Sequence, residues 1–183
     1  LLLTFASLLL ITLLGGCAPE PVDTTSQNED GLTEITLQTD WLAQPEHGGF
    51  YHAVVNGDYE AAGLAVSINQ GGTGVNPANK VTVGDAHFAI GRIDDVVLRI
   101  DRGQPLLIVA AQMQHDPQGL LLHASNPVSS FEELDGRRLF VQPGTVFVRM
   151  LEEEFDIEFT IAGLDYGLGR FLTDPEAIQQ CFI

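Results

Sequence analysis

Basic charge is scarce in this chain. Eight Lys and Arg stand against 25 Asp and Glu over 183 residues, a net charge of −17, and Lys80 is the only lysine. Nucleic acid demands a basic footprint for its phosphates, so a surface this acidic excludes it as a partner. The acidity reads instead as solubility. The usual catalytic signatures are missing too: there is no Cys-x-x-Cys, His-Glu-x-x-His, Gly-x-Ser-x-Gly or P-loop. Gly71-Gly72-Thr73-Gly74 follows an apolar run but lacks the spacing of a dinucleotide fingerprint. It marks a loop where backbone approaches something closely. His47, His52, His87, His115 and His123 are scattered, and the first two, five apart, share no helical face, so no metal site is expected.

What is present is enough apolar residue, 45%, to build a core. The first 16 residues are apolar or small and uncharged, the pattern of a secretory signal too short to span a membrane. Its ending, Leu14-Gly15-Gly16-Cys17, resembles a bacterial lipobox and implies cleavage before Cys17 and acylation there. The chain opens on Leu1 without an initiator methionine or a positive n-region, so its start is expected to be missing. An acylated Cys17 leaves Cys181 a single thiol, hence no disulfide framework. Residues 17–32, rich in Pro, acid and polar residues, read as a flexible tether.

Strand-like and helix-like patterns then alternate. Ile35 to Thr39 reads as a strand running into the loop that holds the only Trp, Trp41, and a helix follows with Phe50, Ala53 and Val54 on one face. Ala65 to Asn69 is a second strand. Asn76-Pro77 is an N-cap with Pro at the first helical position. His87 to Ile90 is a brief strand, and Ile93, Val96, Val97 and Ile100 give a helical stripe that Gly103 stops. Leu106 to Ala111, a continuous apolar run, predicts a strand buried on both faces. Further on, Ser130 and Glu133 form a capping-box pattern, and Arg138 to Val141 is a strand. The next helix carries Val146, Phe147, Met150 and Leu151, and Asp174-Pro175 predicts the start of a last helix. Such alternation means βαβ units and a mostly parallel sheet, the α/β class.

In such a sheet ligands sit where strands end and helices begin. Asp40-Trp41, Gly71-Gly72, Gly91-Arg92 and Gln114-His115 each follow an apolar run, and Gln142-Pro143-Gly144-Thr145 opens a helix whose free N–H groups can hold an acceptor. Trp41 can stack on a flat ring while Asp40 and Gln114 bond its polar edge. The same residues admit plain alternatives: Trp41 in the core, and Arg92 paired with Asp94 or Asp95. The candidate ligand contacts are therefore Asp40, Trp41, His47, Gly72, Gly91, Arg92, Gln114, Gln142, Gly144 and Thr145.

Four segments carry a family likeness: Thr39-Asp40-Trp41 with Pro45-Glu46-His47-Gly48-Gly49-Phe50-Tyr51, Tyr59 to Val66, Gly84 to Gly91, and Phe131-Glu132-Glu133-Leu134-Asp135-Gly136-Arg137. Together they resemble the periplasmic solute-binding proteins of ABC importers, in the branch similar to thiamine-pyrimidine synthase. The resemblance implies a type II periplasmic-binding-protein fold, two lobes each with a mostly parallel sheet flanked by helices. Lobe one would run over 33–121 and a truncated lobe two over 122–183, since relatives continue past the position of Ile183. It also implies a monomer anchored in the membrane through Cys17. This would capture a thiamine-precursor pyrimidine of the formylaminopyrimidine or hydroxymethylpyrimidine type and hand it to a membrane permease. Relatives that bind sulfonates, taurine or nitrate keep open an anionic ligand held by Arg92 and Gly144-Thr145. The superfamily also holds synthases that bind pyridoxal phosphate through a Lys, with a His one helical turn on. Those positions read Gly91 and Asp95 here, so no cofactor and no enzyme are expected.

Overall fold

A computed structural model describes residues 26–182, which form two sheets flanked by short helices. The expected signal segment and Cys17 lie outside the described residues. Among those described, no helix is long and apolar enough to cross a membrane.

The first sheet is wholly parallel. β1 (Thr33–Gln38) lies between β2 (Leu64–Asn69) and β3 (Phe88–Ala89), with Gln38 level with Asn69 and Ala89. The β1 to β2 connection runs through α1 (Gly48–Val55) and α2 (Asp58–Ala61). Gly57 and Gly63, at φ of 76° and 80°, supply the left-handed backbone that separates the two helices and then releases β2. α3 (Pro77–Thr82) begins as its sequence demands: the Asn76 side chain accepts the Asn79 N–H at 3.0 Å, with Pro77 at the first position. α4 (Ile93–Asp101) follows β3.

The second sheet has the order β4-β7-β5-β6. β5 (Arg138–Val141) is parallel to β6 (Thr160–Gly163) and to β7 (Ile178–Phe182), while β4 (Gln118–Leu121) runs antiparallel to β7. α5 (Val146–Phe155) connects β5 to β6, and α6 (Gly169–Thr173) precedes β7. Leu134, Leu139, Val141, Val148, Leu151, Ile157, Phe159 and Ile178 form its main core.

Several sequence expectations are corrected. Leu106 to Ala111 is not a strand: it is irregular and exposed, with Leu107 at 83%. β3 has only two residues and pairs with β1 alone, and the run joins no ladder. The stripe on α4 faces outward, because the helix docks by its polar side. Arg99 bonds Asp95 at 2.7 Å and Asn79 of α3 at 2.7 Å, leaving Ile93, Val97 and Ile100 exposed. On α5 the buried residues are Val148 and Leu151, with Met150 exposed. Glu133 caps Ser129 rather than Ser130, over a single 3-10 turn. Asp174-Pro175 opens a turn, closed by the Ala177 N–H on the Asp174 carbonyl, and β7 follows instead of a helix.

Candidate functional site

The site is built from strand ends. Because β1, β2 and β3 are parallel, the loops that follow them emerge at one edge of the first sheet. Thr39, fully buried, ties two of these loops together. Its Oγ1 donates to the Trp41 carbonyl at 2.6 Å and accepts the Gly71 N–H at 3.0 Å. Gly71 also reaches the Trp41 carbonyl at 3.1 Å. A Cβ at Gly71 would lie 2.4 Å from the Asp40 carbonyl carbon and 2.5 Å from the Thr39 and Asp40 oxygens, so only glycine permits this approach. Gly72, at φ 139°, continues the loop against Leu42. Gly71 lets one loop lie on the backbone of the other, and Gly72 supplies the positive φ that follows.

His47 is turned inward, 1% exposed. Its Nδ1 accepts the Gln44 N–H at 3.3 Å, so the ring proton sits on Nε2, which donates to Asp40 Oδ1 at 2.9 Å. The buried ring therefore aims a carboxylate that is itself 44% exposed. His47 orients; Asp40 is the group presented to solvent. On α1, just beyond, the Tyr51 hydroxyl is buried without a hydrogen-bond partner.

Trp41 is half-buried and lies against Tyr166 of the second sheet, ring centroids 5.1 Å apart and planes tilted by 41°. Tyr166 comes from the loop after β6 and was not legible in the sequence as a site residue. The first and second sheets thus meet through an aromatic pair at the strand ends.

A polar relay makes a second junction. Arg92, the residue before α4, forks onto Asp94 at 3.2 and 3.3 Å and also reaches Gln118 Oε1 of β4 at 3.4 Å. The Gln180 amide of β7 donates to the same oxygen at 2.9 Å, and its own Oε1 accepts the Gln142 N–H at 3.0 Å. Arg92 and the Gln142 to Thr145 loop are thereby joined through Gln118 and Gln180, two residues the sequence reading missed. A signal existed in hindsight: amides standing in otherwise apolar strands. Within the loop, Thr145 Oγ1 donates to the Gln142 carbonyl at 3.0 Å, and Gly144 at φ 82° turns the chain into α5. Gly91 is exposed just before Arg92. Gln114 stands apart: it is exposed and donates to Ala111 of its own segment.

Among the described residues no cluster of His, Cys, Asp and Glu could hold a metal. Gly91, where the resemblance to the synthases would place a Schiff-base lysine, carries no amine, and Lys80 lies on α3 paired with Asp85 at 3.0 Å.

Residues 44–155 match the family model described as NMT1/THI5 like, more than half of the chain. The chain belongs to the NMT1/THI5-like family. That family holds both ABC solute-binding proteins and synthases. No curated protein matches this sequence. The two parallel-rich sheets agree with the lobes of a type II periplasmic-binding protein. The matched segment includes His47, Arg92 and Gln142 to Thr145 but stops short of Asp40, Trp41 and Tyr166.

Proposed function

We propose that this NMT1/THI5-like protein is the solute-binding component of an ABC importer and captures a flat nitrogen heterocycle of the thiamine-precursor pyrimidine kind. The two sheets correspond to its two lobes, expected over 33–121 and 122–183, with β4 (Gln118–Leu121) joining the second sheet rather than the first. The observation that carries the reading is the half-exposed Trp41, set beside the aimed Asp40 carboxylate and facing a residue of the other sheet. A ring stacked on Trp41 offers its exocyclic amine to Asp40, which accepts. Ligand contacts from both lobes bias a hinged closure, and the closed form is what a permease would read. An extracytoplasmic, lipid-anchored, monomeric protein follows from the same reading.

Binding rather than catalysis is favoured because Gly91 cannot form a Schiff base and the Arg92 guanidinium is already committed to Asp94 and Gln118. The same pairing argues against the alternative sulfonate, taurine or nitrate ligand, since the cation meant to hold it is neutralised by Asp94 at 3.2 Å. Thermal shift against hydroxymethylpyrimidine, formylaminopyrimidine, thiamine, taurine and nitrate tests this. A ligand that binds only the folded state raises the midpoint. A shift with the aminopyrimidines alone is the expected result; a shift with the anions alone would move the site to Arg92 and Thr145.

A further inference from the structure

Tyr166 has two properties that a core aromatic does not need. Its backbone lies at φ 60°, the left-handed region that non-glycine residues avoid, and 48% of its surface remains exposed although its ring lies against Trp41. The loop that imposes this geometry is tied down on both sides. Leu164 N–H donates to Val141 at 3.0 Å, the Asp165 carboxylate accepts the Gly167 N–H at 3.0 Å, and Gln179 of β7 donates to the Gly167 carbonyl at 3.3 Å. An unfavourable backbone held by its surroundings, presenting an aromatic ring across the junction of two sheets, marks a position kept for its side chain.

We propose that Tyr166 is the second-lobe jaw of the ligand site, closing on the face of a heterocycle whose other face rests on Trp41. This rests on the reading of Trp41 as the ligand platform. Two rings that sandwich a third stand about 7 Å apart, twice a van der Waals thickness of roughly 3.5 Å. At 5.1 Å and a 41° tilt the pair has collapsed onto itself, so a ligand enters by parting the rings by about 2 Å and bringing them parallel. That is a small hinge displacement. The gap it opens fits one flat ring and is too thin for a tetrahedral sulfonate, so Tyr166 selects ligand shape as well as adding affinity.

Trp41 is the only tryptophan, so its emission reports on this contact directly. Hydroxymethylpyrimidine is titrated by intrinsic fluorescence and by calorimetry into the protein and its Tyr166→Phe, Tyr166→Ala, Tyr166→Gly and Trp41→Ala variants. Tyr166→Ala is expected to red-shift the emission of the unliganded protein and to weaken binding about fivefold to hundredfold, the range for losing one stacking partner. Tyr166→Phe keeps binding within about twofold. Tyr166→Gly relieves the backbone and stays as weak as Tyr166→Ala, which separates the ring from the strain. Binding unchanged or tightened by Tyr166→Ala, while Trp41→Ala loses it, would overturn the jaw and leave the platform. Recovery of binding in Tyr166→Gly would reduce the residue to a backbone role and likewise overturn it. No response of the unsubstituted protein would overturn the pyrimidine reading and the jaw together.

Discussion

The two sheets are held by different physics. Around the second sheet eleven hydrophobic residues from Leu134 to Ile178 are buried, with Leu139 and Ile178 at 0% exposure; around the first only Leu37, Ala78 and Ala86 are. α1, α2 and α4 bury no residue at all. What secures the first region is polar: the Thr39 clamp on Gly71, the His47 to Asp40 bond, and the Arg99 bridge to Asn79. Apolar burial is non-directional and tolerates repacking, whereas hydrogen-bonded clamps fix a few atoms in place. The first region therefore specifies loop geometry and the second supplies stability.

The largest effect that would sharpen this comparison comes from the second core. Ile178→Ala or Leu139→Ala is expected to cost about 2–5 kcal/mol in denaturant unfolding, while Val97→Ala on the exposed face of α4 stays within about 0.5 kcal/mol. Equal losses would erase the distinction. Gly71→Ala comes next. Its Cβ meets backbone at 2.4 Å, which no rotamer change relieves, so about 1–3 kcal/mol of stability and the loop pairing are lost together. Trp41→Ala should weaken heterocycle binding by about 1–3 kcal/mol in calorimetry, with a cooperative unfolding transition preserved. Replacing His47 by Leu takes the acceptor from the Gln44 N–H and frees Asp40. It is expected to lower stability by roughly 1 kcal/mol or more and to reduce affinity less than Trp41→Ala does. Smallest is Glu153→Ala, which breaks an exposed pair with Arg149 and should shift stability by no more than about 0.5 kcal/mol.

Local signals were legible where the chain decides them locally. The Asn76-Pro77 start of α3, the strand Arg138–Val141 and the alternation that defines the α/β class follow from cap chemistry and periodicity. The failures share one cause, pairing and docking that a linear pattern does not contain. Leu106 to Ala111 has strand composition but no ladder partner, while Ile178–Phe182 carries two glutamines and an Asp-Pro start yet is a strand, because β4 and β5 flank it. α4 has a proper stripe but is anchored through Arg99 on its other face. At the site, the loop positions of Asp40, Trp41 and Arg92 were readable from strand ends. Tyr166 was not, since only the meeting of two sheets brings it to Trp41, and Gln118 and Gln180 stood out only as amides in otherwise apolar strands, with no partner named by the linear pattern.

The most direct test of the central claim, a cleft that binds a flat heterocycle on Trp41, is calorimetric titration of hydroxymethylpyrimidine and of taurine into the protein, Trp41→Ala and Arg92→Ala. The account predicts heat with the pyrimidine only, weakened by about 1–3 kcal/mol in Trp41→Ala. Taurine binding that survives Trp41→Ala and disappears in Arg92→Ala would contradict it.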